Sequence, residues 1–210
     1  LRLKVLPPAG EVVVSAPFRV PKYEISTFVL SELEWIRKQQ EVLSQRVPRP
    51  SLNYVAGEEH LLWGDRFDLT LFSAHSRQYA VMEDGVIKLF VKPSSTFSDR
   101  EKLLKEFYRG EIKREIPRLL EKWEPQMGVK SHDWGVKKMK TRWGTCNTRD
   151  KRIWLNLELA KYDKQCLEYV VVHELAHLIE RNHSPRFWSI VETYVPHWRD
   201  IREQLNGTNV

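Results

Sequence analysis

Long apolar runs are missing from this chain: in its 210 residues no stretch approaches the roughly 18 apolar positions that a bilayer-crossing helix needs. No membrane partner is expected. The start, Leu1-Arg2-Leu3-Lys4-Val5-Leu6, has no long apolar h-region and so does not read as a secretory signal. Cysteine is scarce as well. Cys146 and Cys166 stand alone, in no C-x-x-C, so two reduced thiols in a cytoplasmic protein are expected, and Cys146 lacks any local nucleophile signature. Glycine-rich phosphate loops are also absent, so any phosphate binding would rest on side chains or metal.

Apolar and aromatic residues are plentiful, at 41% and 11%, enough for a packed core and against disorder. The length suits one domain, or one domain with a small subdomain. The net charge of +6 is concentrated: residues 130–152 hold eight basic residues (Lys130, Lys137, Lys138, Lys140, Arg142, Arg149, Lys151, Arg152) against Asp133 and Asp150. Such a patch favours acidic or phosphate-rich partners, nucleic acid among them, although lysines along a strand also guard it against edge pairing.

Patterning along the chain predicts an α+β protein. Residues 1–16 read as a hairpin turning at Pro7-Pro8-Ala9-Gly10, followed by an amphipathic helix from Ser26 to about Gln45 and a linker at Val47-Pro48-Arg49-Pro50. Short strands are expected around 60–63, 67–72, 78–82 and 86–91, with Asp84-Gly85 as a hairpin turn. A long charged helix follows from Ser98 to about Trp123, capped by Ser98 and Glu101 and kinked or broken near Glu115 by Pro117. Strands recur near 136–139 and 153–157, then a helix over 163–181 and two shorter ones. The division this implies is a β-rich part with one helix, 1–97, and a catalytic part, 98–210.

The chemistry is concentrated at His173-Glu174-Leu175-Ala176-His177, with His183 six positions later. Helical positions i and i+4 differ by about 40° of rotation, so His173 and His177 project from one face. Both can then reach one tetrahedral zinc, while Glu174 sits beside it as a general base. Asn182 tolerates the left-handed conformation that ends helices, and Ser184-Pro185 reads as an N-cap and first helical position. His183 thereby falls on the turn and becomes the third ligand, leaving a fourth position open, as catalytic sites do. Apolar residues surround the motif (Leu167, Val170, Val171, Val172, Leu175, Leu178), the mark of a buried helix in which unpaired imidazoles would be costly.

With these residues in view, the chain resembles the YgjP-like metal-dependent hydrolases, relatives of the SprT-like zinc metallopeptidases. The matching stretches are Trp35-Ile36, Gly57-Glu58 to Gly64, Lys138 to Cys146, Leu155-Asn156, Tyr169 to Leu178 and His183 to Trp188. Thr145 and Ala176 depart from the serine and cysteine common there. The resemblance implies a zincin-like core, a small sheet packed on a buried active-site helix, with His173, His177 and His183 holding metal and Glu174 as base. It also suggests a short strand over the metal helix near Arg142 to Thr145, against which an extended peptide can pair.

The expected activity is zinc-dependent peptide hydrolysis through a metal-activated water. Nickel, manganese or cobalt also suit three histidines. Phosphoanhydride hydrolysis of nucleoside triphosphates, and a nucleic-acid-associated zinc protease docking through 130–152, are the rival functions. Arg142, Trp143 and Lys138 are the candidate substrate contacts, and Arg142, Lys138 and His132 the candidate oxyanion donors.

Overall fold

The structure is a computed structural model in which residues 1–6, 9–44 and 52–207 are described. It divides into two compact units, 1–51 and 52–210. The division expected at 97/98 falls inside the second unit, and the linker expected at 47–50 lies outside the described residues, as do Pro7 and Pro8 of the first turn.

In the first unit β1 (Arg2–Leu6) pairs antiparallel with β2 (Glu11–Ser15), as the alternation predicts. Gly10 closes the turn at φ +73, a conformation that costs glycine nothing. The amphipathic segment forms two helices, α1 (Lys22–Ser31) and α2 (Leu33–Ser44), where one was expected. The path breaks at Glu32, whose backbone leaves the helical region, and α1 starts four residues before Ser26, directly after Pro21.

The second unit opens with a four-stranded sheet of β3 (Glu59–Leu62), β4 (Asp65–Ser73), β5 (Tyr79–Glu83) and β6 (Val86–Val91), in the order β3-β4-β6-β5. Its hairpins turn at Trp63-Gly64 and Asp84-Gly85, with φ positive at both residues of each, the tight turn that matches strand twist. β4 and β6 run parallel, the other pairs antiparallel.

α3 (Phe97–Met127) crosses the unit as one unbroken helix. Its cap is Thr96 with Asp99, two residues upstream of the expected Ser98–Glu101 pair, with Thr96 N donating to Asp99 at 2.9 Å. Pro117 does not stop it. Leu104, Tyr108, Ile112, Ile116, Leu120, Trp123 and Met127 form one buried stripe on both sides of the proline. Burying each such side chain is worth about 1.5–3 kcal/mol, which together outweighs the roughly 3 kcal/mol that an internal proline costs. Gly128 ends the helix at φ +64.

A second, three-stranded sheet carries β7 (Asp133–Lys137), β8 (Gly144–Asn147) and β9 (Arg152–Asn156), in the order β7-β9-β8. β8 is an edge strand that only the family resemblance had suggested: its four residues, Gly-Thr-Cys-Asn, show no apolar alternation. A 3-10 helix, Leu157–Lys161, leads into α4 (Lys164–Ala176), then α5 (Pro185–Tyr194) and α6 (Trp198–Gly207). α4 is buried on nearly every side and lies against α3, with Lys122 and Trp123 both bonded to Glu168, at 2.7 and 2.9 Å. Among the described residues no helix is long and apolar enough to cross a membrane.

Candidate metal centre

His173 and Glu174 lie in the last turn of α4, and His177 is its C-cap. The helix ends at Ala176, five residues short of the expected Arg181, and by a different device from the one Asn182 suggested. Leu178 and Ile179 donate back three residues to Leu175 and Ala176 at 2.9 and 3.0 Å, tightening the turn, and Asn182 is not among the residues with positive φ. Ser184 then caps α5, accepting from Phe187 N at 3.3 Å, with Pro185 at its first position. His183 sits in the bend between α4 and α5, as the spacing required.

This bend brings the three imidazoles together. One nitrogen from each of His173, His177 and His183 lies within 4.8 Å of the others, and His173 Nε2 is 3.0 Å from His183 Nε2. Beneath them is Phe187, fully buried, its ring 4.6–4.8 Å from all three. The sequence pattern marks Phe187 as an apolar residue of α5 and nothing more; its place as the floor depends on the α4–α5 angle.

Burial holds the histidines neutral. His173 is pushed down to about 3, first by burial and then by its two histidine neighbours and the charge of Arg202. His177 and His183 are also lowered from the ordinary value, by burial first in each, then by His183 for His177 and by Arg202 for His183. Their lone pairs are therefore available at neutral pH. His177 Nδ1 lies 3.4 Å from the Glu180 carbonyl, which favours the proton on Nδ1 and leaves Nε2 as the donor atom. A tetrahedral ion bonded at about 2.05 Å spaces its nitrogens roughly 3.3 Å apart. Three neutral, converging imidazoles at these separations fit a divalent transition metal.

Glu174 is 4% exposed, and its Oε2 has no hydrogen-bond partner. Burial pushes its carboxyl up to about 8, opposed by Arg142. The strand β8 lies directly over it: a Cβ at Gly144 would fall 2.5 Å from Glu174 Oε1. Asn156, fully buried, donates to the carbonyls of Met139 and Arg142 at 3.0 and 2.8 Å and so holds the loop that leads into β8.

The three histidines, Glu174 and Gly144 line a cleft of about 1070 Å³. Arg142 and Trp143 are on its wall; Lys138 is not. Lys138 faces Glu158 at 3.7 Å and lines a separate small cavity with Tyr54 and Tyr108, because β7 ends at Lys137 and the chain reaches the cleft only from Thr141 onward. His132 also lies outside the cleft. Arg181, Arg202, Tyr169 and Trp188 line it too; Arg181 and Arg202 carried no sequence signal beyond their charge. Cys146 borders the cleft, but burial pushes its thiol up to about 12, so it stays protonated. In the basic cluster, Arg152 pairs with Asp133 at 2.8 Å, and Lys137 lies over the Trp154 ring.

The chain is a metallopeptidase domain by family: it belongs to the YgjP-like family, whose metallopeptidase domain matches residues 1–208. No curated protein matches it. Among solved structures, the metallopeptidase zymogen of Pyrococcus abyssi abylysin is 23% identical with a TM-score of 0.40, the match covering 43% of this chain and 90% of that one. The metallopeptidase zymogen of Methanocaldococcus jannaschii jannalysin is 21% identical with a TM-score of 0.39, covering 43% and 92%.

Proposed function

We propose that the chain is a zinc-dependent peptidase with a zincin-like core, in which His173, His177 and His183 hold the metal and Glu174 is the general base. The observation that carries this reading is the convergence of three neutral imidazoles within 4.8 Å, next to a buried carboxylate with an unpaired oxygen. A divalent metal held there supplies Lewis acidity, polarising a carbonyl and easing deprotonation of water.

The residues of the chain supply the rest. Glu174 accepts a proton at its unpaired Oε2 and returns it to the departing amine nitrogen. A carboxyl whose proton affinity lies near neutrality serves both steps, and burial between α4 and β8 gives Glu174 that affinity. The free edge of β8 offers backbone groups for an extended peptide, which places a carbonyl along the same wall as Glu174. Trp188, tilted against His173 and stacked on Trp198 at 4.3 Å, forms the opposite part of the lining.

Glu174→Gln tests the assignment. It should keep full metal stoichiometry while peptide hydrolysis by the zinc-loaded protein falls by orders of magnitude. Unchanged turnover would remove Glu174 from the mechanism. Cleavage of nucleoside triphosphates, with no peptide cleaved, would remove the peptidase reading.

A further inference from the structure

Three guanidinium groups surround the cleft: Arg142 from the loop before β8, Arg181 from the bend after α4, and Arg202 from α6. Glu174 is the one carboxylate among the lining residues, and none of the three arginines is ion-paired to a carboxylate among the described residues. Elsewhere Arg66, Arg109, Arg114, Arg152 and Arg199 each pair with an acid. Arg202 instead lies over two indoles, its Cζ 4.9 Å from the centre of the Trp188 ring and 5.9 Å from that of Trp198.

The arginines also stand at separate places: Arg142 directly precedes β8, which lies over Glu174, whereas Arg202 lies over Trp188, whose ring is against His173 and His183. A bound chain that covers these guanidinium groups strips their water, which is unfavourable unless it brings anions of its own. A compact anion suits one focus of charge; two foci suit anions spaced along an extended chain. We infer that the cleft selects acidic peptide segments, with Arg142 and Arg202 each receiving a carboxylate at a different point along the substrate. This rests on the peptidase reading and adds the substrate class to it.

The test uses the zinc-loaded full chain and one fluorogenic peptide frame rich in glutamate. Each Glu is changed singly to Gln, and each peptide is made with a free or amidated C-terminus. Charge-assisted bidentate contacts are worth about 10- to 100-fold, so kcat/KM should fall by about that factor at two or more non-adjacent positions, mainly through KM. Sensitivity to amidation would assign one carboxylate to the substrate terminus; insensitivity assigns both to side chains. Arg142→Gln and Arg202→Gln should each abolish the preference at one of those positions. Equal rates for Glu and Gln peptides, or a preference that survives both variants, would overturn the inference and leave the peptidase reading standing. If no peptide is cleaved, the peptidase reading fails, and binding of the same peptides to the Glu174→Gln protein, read by tryptophan fluorescence, decides this inference separately. Tighter binding of the acidic peptide that weakens in Arg202→Gln supports it. Equal affinities, or a nucleoside triphosphate that binds more tightly than the acidic peptide, overturn it.

Discussion

Gly144 and Glu174 touch so closely that position 144 has no room for a side chain: an added Cβ would lie 2.5 Å from Oε1 and 2.9 Å from Cδ of the glutamate. Both groups are confined, the glycine by its pairing with Leu155 on β9 and the carboxylate by burial in α4. Gly144→Ala should therefore displace Glu174 or lift β8. Overpacking of this kind costs about 1–3 kcal/mol. We expect at least a ten-fold fall in kcat with metal content unchanged, checked by single-turnover kinetics beside metal analysis.

Asn156→Ala should act through the loop above the site. The asparagine side chain donates to Met139 O and Arg142 O and accepts from Met139 N and Glu158 N. Leaving two carbonyls without these donors costs about 1–3 kcal/mol each where they stay buried. Urea unfolding of the metal-free protein should show a loss of about 2–4 kcal/mol. A loss below about 0.5 kcal/mol would mean that water takes over the bonds.

Acid should unfold the metal-free protein for a defined reason. His60, His173, His177 and His183 all have proton affinities lowered in the folded state, by burial first in each case. A group with a depressed folded pKa leaves stability intact above its unfolded value of about 6.5 and removes it as pH falls below that. For His173, at about 3, the decline runs through the whole window from 6.5 down to 3. Its slope approaches about 1.4 kcal/mol per pH unit for that residue alone. In the metal-free Glu174→Gln protein, where the raised glutamate carboxyl no longer contributes an opposite slope, urea midpoints at pH 7.5, 6.5, 5.5 and 5.0 should stay level above 6.5 and fall below it. A constant midpoint would show that the imidazoles are solvated.

His183→Ala should separate metal binding from folding. The residue is exposed and lies in the bend outside α4 and α5, so the metal-free variant should unfold within about 0.5 kcal/mol of the parent. Zinc should no longer raise its melting temperature, because the increment depends on affinity for the folded state. A thermal shift in the variant equal to that of the parent would remove His183 from the ligand set.

How much of this was readable beforehand depends on the range of the interaction. The histidine triad was legible because two histidines share one helical face and the third directly precedes a Ser-Pro cap, all within thirteen residues. The Asp84-Gly85 hairpin was legible for the same local reason. Strand β8 was not evident from patterning, since its burial comes from α4 beneath it and not from alternation. Pro117 misled because local helix chemistry was weighed without the stripe that packs on both sides of it. Lys138 and Arg142, four residues apart, face different cavities because the chain turns through a loop between them. Arg181 and Arg202 reach one cleft from separate elements, an arrangement that only the tertiary fold creates.

The hairpin tip at Trp63-Gly64 rests on the entrance to α4: Trp63 N donates to Ala160 O at 2.8 Å, and a Cβ on Gly64 would lie 3.4 Å from Asp163 N. Leu69, Ile87 and Leu89 of that sheet share one continuous core with α3 and α4. A fragment beginning at residue 98 would thus be cut through its own interior, and expression trials should find it insoluble. The compact unit that holds the histidines begins at Leu52, so the sheet serves as a foundation on which the histidine-bearing end of that unit stands.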